Sequence, residues 1–438
     1  MKRVAGGVVT ARAPLYDAGR EIMPRGQLRE CRWRSFQAMA AELLEPEGGN
    51  AFVKRKWREA GVASVEDLRS WDDFDRLPFS GKAELVADQA AHPPFGTNLT
   101  YPLERYVRLH QTSGTTGTPI RWLDTQASWE WAARCWGFVL HAAGVTPADR
   151  VFFPFSFGPF IGFWSGFEAA RTMGALAIPG GGQDSATRLA AMEALGVTVL
   201  VCTPSYALHL GEVARERGID LRKLPIHTTV HAGEAGAAIP AVRARIEETW
   251  GARAFDHAGM TEVGAYGYEC SERAGLHVNE SEFIAEVIDP LTGAAASEGE
   301  LVLTNLGRVG SPAIRYRTGD RVHLAPAGCG CGRTFRRLEG GILGRLDDML
   351  IVRGVNVFPS AIEGIVRRYP AIEEFRLEVF RESELTELRL LVEARDSAVA
   401  RLVHEALRAD LGIRVDVVPV VVGSLPRWDL KARRVVRI

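Results

Sequence analysis

The chain has 438 residues, 46% hydrophobic and 24% charged, a globular balance that excludes disorder and fibrous repeats and suggests two or three domains. Its formal net charge of −1 gives no reason to expect nucleic acid or an anionic membrane surface as partner. Among 53 basic residues only six are lysines, namely Lys2, Lys54, Lys56, Lys82, Lys223 and Lys431, so a lysine near the C-terminus stands out in a chain that otherwise uses arginine.

In chain order, Met1 to Thr10 carries Lys2 and Arg3 with no long apolar segment behind them, so no signal peptide is expected. Residues 20 to 95 are rich in charge and Trp, with helical periodicity from Leu28 to Leu44. Between 100 and 250, the strands Arg150-Val-Phe-Phe and Val197-Thr-Val-Leu-Val-Cys alternate with the helices Ser185 to Leu195 and Ala238 to Trp250, which is α/β architecture. From Ala285 to Val322 short β segments follow one another: Ala285 to Pro290, Gly299 to Thr304, and Ala313-Ile-Arg-Tyr316. Beyond Leu346 a compact α+β stretch combines Met349 to Val352, a helix near Ser360 to Arg368, a strand Glu387 to Glu393, a helix Ala398 to Leu411 and a strand Val415 to Val422. The expected division is a large domain, 1–346, and a small one, 347–438. The longest uncharged run, Val151 to Phe167, is shorter than the roughly 20 residues of a membrane helix and is broken by Pro154 and Pro159. A cytoplasmic protein is expected.

Six cysteines do not make a disulfide scaffold, and Cys31, Cys135 and Cys202 read as small core residues. Cys270 and His277, followed by Cys329-Gly-Cys331, read differently. Glycines at 328, 330 and 332 let the backbone curl so that both sulfurs face one ion. Three thiolates and an imidazole suit a closed, tetrahedral, structural zinc site.

Thr112-Ser113-Gly114-Thr115-Thr116-Gly117-Thr118-Pro119 joins two glycines to a run of hydroxyls. Backbone N–H groups in such a loop wrap anionic oxygens, and no lysine follows to make it the common NTPase loop. With four later segments it resembles the adenylate-forming superfamily of acyl-CoA synthetases. Those segments are His231-Ala-Gly-Glu234, His257-Ala-Gly-Met-Thr-Glu262, Tyr316-Arg-Thr-Gly-Asp320 and Gly344 to Gly354. Leu77 to Lys82, Pro94-Phe-Gly96 and Arg353 to Ser360 are similar to the phenylacetate-CoA ligase branch in particular.

The resemblance implies a large α/β domain of several subdomains, one β-barrel-like, and a small mobile α+β domain. It implies a two-step reaction: ATP and a carboxylic acid give an acyl-adenylate, and coenzyme A then displaces AMP. Thr112 to Thr118 would bind the β- and γ-phosphates, and Gly233, Glu234, Asp256, His257, Ala258, Gly259 and Met260 would line the nucleotide. Thr261 would meet the α-phosphate, Glu262 would hold Mg²⁺, Asp320 would meet the ribose, Arg345 the ribose or a phosphate, and Lys431 would be the adenylation lysine. Asp347 would be the hinge, and Arg353 and Gly354 would line the coenzyme A tunnel. Two departures stand against the family pattern, Ala258 replacing a common aromatic and Leu430 a common Gly, and Asn356 stands where many relatives outside this branch carry Arg. An aryl or arylacetic acid would fit a slot formed by Phe157, Gly158, Ala232, Gly233 and Ala258. A carrier-protein phosphopantetheine stays open as the alternative acceptor, and a homodimer stays open as well. A catalytically silent nucleotide-binding regulator is the reading from another class, opposed by the retention of Glu262, Asp320 and Lys431.

Overall fold

The expected N-terminal helix runs from Arg25 to Leu43 and buries Leu28, Phe36, Met39, Ala40 and Leu43, a single face at helical spacing. The computed structural model describes residues 15–438 apart from 113–117, 156, 235, 353–354, 383–384 and 429–431. Helix ends follow from local chemistry. Asn50 caps Ala51–Glu59, Thr125 caps Gln126–Ala142, Asp184 caps Ser185–Ala194 and Thr203 caps Pro204–Glu216. In each case the side chain accepts a hydrogen bond from an N–H of the first turn. Thr125 and Thr203 end or directly follow strands (Arg121–Thr125 and Val199–Cys202), so strand passes into helix within one or two residues.

An eight-stranded sheet forms the centre, in the order Arg337–Leu338, Leu276–Val278, Gly264–Tyr268, Arg253–Met260, Thr228–His231, Val199–Cys202, Arg150–Phe153, Leu176–Pro179. The last five strands are parallel, and the first four pair antiparallel. Val199–Cys202 and Thr228–His231 are buried along their whole length, as parallel strands covered on both faces must be. A four-stranded antiparallel sheet follows, built from Phe283–Ile288, Glu298–Asn305, Tyr316–His323 and Gly344–Arg345. This is the expected β-rich part, with one correction. Ala313 to Arg315 is not strand; the strand begins at Tyr316. Arg315 has a φ of 42°, a left-handed backbone that breaks the extended run. Its guanidinium pairs with Glu286 and donates to the carbonyls of Asp75 and Leu77.

The C-terminal stretch has its own four-stranded sheet, ordered Asp416–Val420, Leu385–Ala394, Ile372–Glu382, Val435–Arg437, with helices Pro359–Val366 and Ala398–Leu411. Its core, from Leu350 to Val415, is separate from the cores of the preceding residues. Cys135 and Cys202 are core residues as expected, but Cys31 is exposed on the outer face of Arg25–Leu43. No helix among the described residues is long and apolar enough to cross a membrane.

Candidate active site

The parallel strands deliver the motif residues at their carboxyl ends, where ligands bind in open α/β sheets. Thr228–His231 and Arg253–Met260 pair with His231 opposite Asp256, which sets Ala232 and Gly233 beside His257 and Ala258. His231 is buried, with Nδ1 3.2 Å from the Cys202 carbonyl and Nε2 2.8 Å from the Thr229 hydroxyl. Burial pushes it down to about 4, so it is a neutral scaffold for the turn that follows. Gly233 takes a φ of 97°, which glycine adopts without penalty. The Glu234 carboxylate then accepts the Ser205 N–H on one oxygen and the Ala432 N–H on the other, each at 2.8 Å.

On the neighbouring strand, burial and the Glu269 charge push Asp256 up to about 8. Burial pushes His257 down to about 4. Its Nδ1–H donates to the Gly267 carbonyl at 2.6 Å, and Trp136 lies against its ring with centroids 4.4 Å apart. Thr261 and Glu262 follow the strand end. Their carbonyls both accept from Arg308 Nη1, at 2.6 and 3.3 Å. The buried Glu262 carboxylate takes a hydrogen bond of 3.4 Å from the Tyr316 hydroxyl. Such a hard, loosely held oxygen donor fits a divalent cation completed by phosphate oxygens.

Asp320 and Arg345 lie opposite each other in the antiparallel sheet. Asp320 accepts from Tyr266 Oη and Arg345 Nη1, both at 3.2 Å. Arg345 forks onward to Asp347 at 2.9 and 3.0 Å. Although burial works against its charge, Asp347 and Asp320 hold the guanidinium above its usual range. Gly319 is needed here: its φ is 75°, and a Cβ would stand 3.1 Å from Arg345 Nη2.

The Thr112–Pro119 loop, expected to bind phosphates, is closed at its base. Thr112 N–H donates to the Ile120 carbonyl at 3.0 Å, and Ile120 N–H donates back to the Thr112 hydroxyl at 3.0 Å. Thr118 is exposed. Ser113 to Gly117, Arg353, Gly354 and Lys431 lie outside the described residues. In the aromatic segment, Phe157 packs on Phe155, Trp164 and Phe167 with centroids 4.7, 4.4 and 5.3 Å away. The Gly158 carbonyl accepts from Trp164 Nε1 at 2.9 Å.

Cys270, His277, Cys329 and Cys331 converge, with their ligand atoms all within 4.8 Å of one another. Cys270 and Cys329 sulfurs are 3.7 Å apart, and Cys331 Sγ is 3.5 Å from His277 Nε2. Two sulfurs each ~2.3 Å from one tetrahedral ion stand about 3.8 Å apart, so the donor set fits. His277 Nδ1 lies 3.2 Å from the Phe335 carbonyl, which fixes the N–H there and turns the Nε2 lone pair inward.

Short motifs did not reveal Tyr266 or the Arg308–Asp124 pair, in which Nε and Nη2 meet the carboxylate at 2.7 and 2.6 Å. These partners are far apart in sequence and carry no local pattern; a buried arginine within a turn leaves no periodic trace.

An eight-stranded sheet with a buried acid after a parallel strand, an antiparallel sheet that carries an Asp–Arg pair, and a C-terminal unit with its own core make up the architecture of the adenylate-forming enzymes. The family model for the AMP-binding enzyme C-terminal domain matches residues 354–437. Phenylacetate-coenzyme A ligase of Thermus thermophilus is 33% identical over 400 residues, covering 90% of this chain and 87% of the relative. That of Escherichia coli is 34% identical, covering 87% and 89%. The chain belongs to the phenylacetate-CoA ligase family. The crystal structure of 2-hydroxyisobutyryl-CoA ligase in its postadenylation state superposes with a TM-score of 0.90 at 30% identity, covering 100% of this chain and 95% of the other. The same ligase in its thioesterification state gives 0.72, at 32% identity and 96% and 91% coverage.

Proposed function

We propose that the protein is an ATP-dependent acid–thiol ligase that activates an aryl or arylacetic carboxylic acid as the acyl-adenylate and transfers it to coenzyme A. The observation that carries the reading is the grouping of Glu262 with Tyr316, and of Asp320 with Arg345, along one strand and its neighbours in a chain one-third identical to phenylacetate-CoA ligases. Adenylation brings two anions together, so it needs oriented donors and cations at the α-phosphate. Asp320, fixed by Tyr266 and Arg345, accepts the ribose hydroxyls. Glu262 holds Mg²⁺, which supplies charge neutralisation on the phosphates when bound. Thr261 offers its hydroxyl to the α-phosphate, with its carbonyl fixed from behind by Arg308. Asp347, forked to Arg345, sits at the boundary of the small unit and is the hinge. The aromatic ring cluster around Phe157 favours a flat acid over an aliphatic one.

The test is pyrophosphate release across aryl, arylacetic and aliphatic acids, with coenzyme A, with a carrier-borne phosphopantetheine, or with neither acceptor. Acid-dependent release, with thioester formed on coenzyme A, is expected. No release with any acid overturns the reading in favour of a silent nucleotide binder.

The Cys/His cluster holds a structural Zn²⁺. Burial pushes His277 down to about 4, so a neutral imidazole meets the ion. With four protein ligands and no open position, the ion's work is to tie the 329–331 turn to Cys270 and Leu276–Val278. Protein purified without chelator is expected to carry about one zinc per chain. Cys331→Ser should lose it and melt at lower temperature. Metal analysis finding no zinc in the unmodified chain would sink the assignment.

A further inference from the structure

Helix Pro204–Glu216 of the large unit is gripped at both ends by the chain segment that flanks Lys431. At its N-terminus, the Glu234 carboxylate bridges the Ser205 N–H and the N–H of Ala432, the residue after Lys431. One turn of chain further, Arg434 Nη2 donates to the Ser205 hydroxyl at 3.0 Å. Toward the other end of the helix, Glu212 receives Arg427 Nε at 3.0 Å. Contacts at Arg427 and at Ala432 and Arg434 thus hold the described residues on both sides of Lys431 to one helix. Each contact carries a charge: a carboxylate at a helix N-terminus, where the dipole favours it, Arg434 on a hydroxyl and Arg427 on a carboxylate.

The arginines are also held from behind. Arg427 meets Glu393, and Arg434 meets Glu363 and Glu374, all within the small unit. The fork geometry of guanidinium lets one side chain face both units at once. The arrangement superposes better on the postadenylation form of 2-hydroxyisobutyryl-CoA ligase than on its thioesterification form. Contacts made in one arrangement and broken in another bias the equilibrium between them by their differential free energy.

We propose that Glu234, Ser205 and Glu212 form a two-point latch that holds the small unit in the adenylation arrangement and so positions Lys431. The proposal rests on the two-step ligase reading above. Glu234 is here a positioning residue, acting through the backbone of residue 432. Release of the latch accompanies passage to the thioester-forming arrangement, so its strength sets the ratio of the two half-reactions rather than either alone.

The test places substitutions on the large unit, because Arg427 and Arg434 also neutralise buried carboxylates and their removal would threaten folding. Pyrophosphate release in the first half-reaction and thioester formation from preformed acyl-adenylate are measured separately in Glu212→Gln, Ser205→Ala and Glu234→Gln. The ratio of the first rate to the second is expected to fall about tenfold in Glu212→Gln and Glu234→Gln, equivalent to ~1.4 kcal/mol, and less in Ser205→Ala. Glu212→Gln decides the matter, since it loses the contact to Arg427 at the end of the helix away from Glu234. An unchanged ratio in Glu212→Gln, or an effect confined to the KM for ATP in Glu234→Gln, overturns the latch. If the unmodified protein releases no pyrophosphate with any acid, it is the ligase reading that falls, and the latch with it.

Discussion

Lys431→Ala is expected to cut acid-dependent pyrophosphate exchange by about 10²–10³-fold, the cost of losing one group aimed at developing charge. Thioester formation from preformed acyl-adenylate should survive. The reasoning is electrostatic. The attacking carboxylate and the α-phosphate are both anions, and a compact ammonium on a flexible stem bridges them as they approach. Once the adenylate exists, that repulsion is gone and the lysine has no further part. Lys431→Arg should rescue poorly, because a planar fork does not reproduce a point charge between two converging oxygens. The control has particular weight in a chain with six lysines among 53 basic residues, where arginine is the default cation. Equal loss of both half-reactions would refute the role. Among the described residues on either side, Ala432 N–H donates to Glu234 and Arg427 pairs with Glu212.

Much of this could be read from the residues. Val199–Cys202 and Arg150–Phe153 declared themselves as apolar runs, and Ala398–Leu411 as an amphipathic period. Ile372–Glu382 is equally legible in the sequence. Phe375, Leu377 and Val379 alternate with charged residues, and all three are buried, so the period-two signal was present. Ala313 to Arg315 misled in the other direction: an apolar pair before Tyr316 looks extended, but Arg315 turns left-handed with its guanidinium held by Glu286 and by the carbonyls of Asp75 and Leu77. Asp320 and Arg345 were found by motif, but that they face each other across a sheet was not, because register is set by pairing rather than by composition. Glu234 was found as a motif residue expected to line nucleotide. That its two oxygens reach Ser205 and Ala432 depends on how two separately packed units meet, which no local pattern encodes.

Arg308→Met is expected to be the most destabilising single change near the site, by about 3–5 kcal/mol, the cost of stranding a buried charge. Arg308 and Asp124 are 1% and 0% exposed, and the guanidinium spans the carboxylate with bonds of 2.7 and 2.6 Å. Burial pushes the Asp124 carboxyl up, yet the Arg308 charge holds it below its usual range. A carboxyl lowered in the folded state stabilises the fold above its unfolded pKa of ~3.9, and that contribution is lost as pH falls through the folded value. The arginine does a second job with Nη1, which holds the Thr261 and Glu262 carbonyls. Asp124 lies near the end of the hairpin strand that follows the Thr112–Pro119 loop, so one ion pair ties that loop's base to Thr261 and Glu262, the residues proposed to meet the α-phosphate and the cation. The two jobs separate in a double mutant. Asp124→Leu with Arg308→Met removes both charges, and melting temperature should recover most of the loss, as buried pairs replaced by apolar residues often do. Adenylation should not recover, because the two carbonyls still lack their donor and the Thr261–Glu262 turn is free to shift. Recovery of both stability and pyrophosphate release would reduce Arg308 to a packing residue. A single-mutant loss within about 0.5 kcal/mol, the range of an ordinary surface change, would show that the pair carries neither burden.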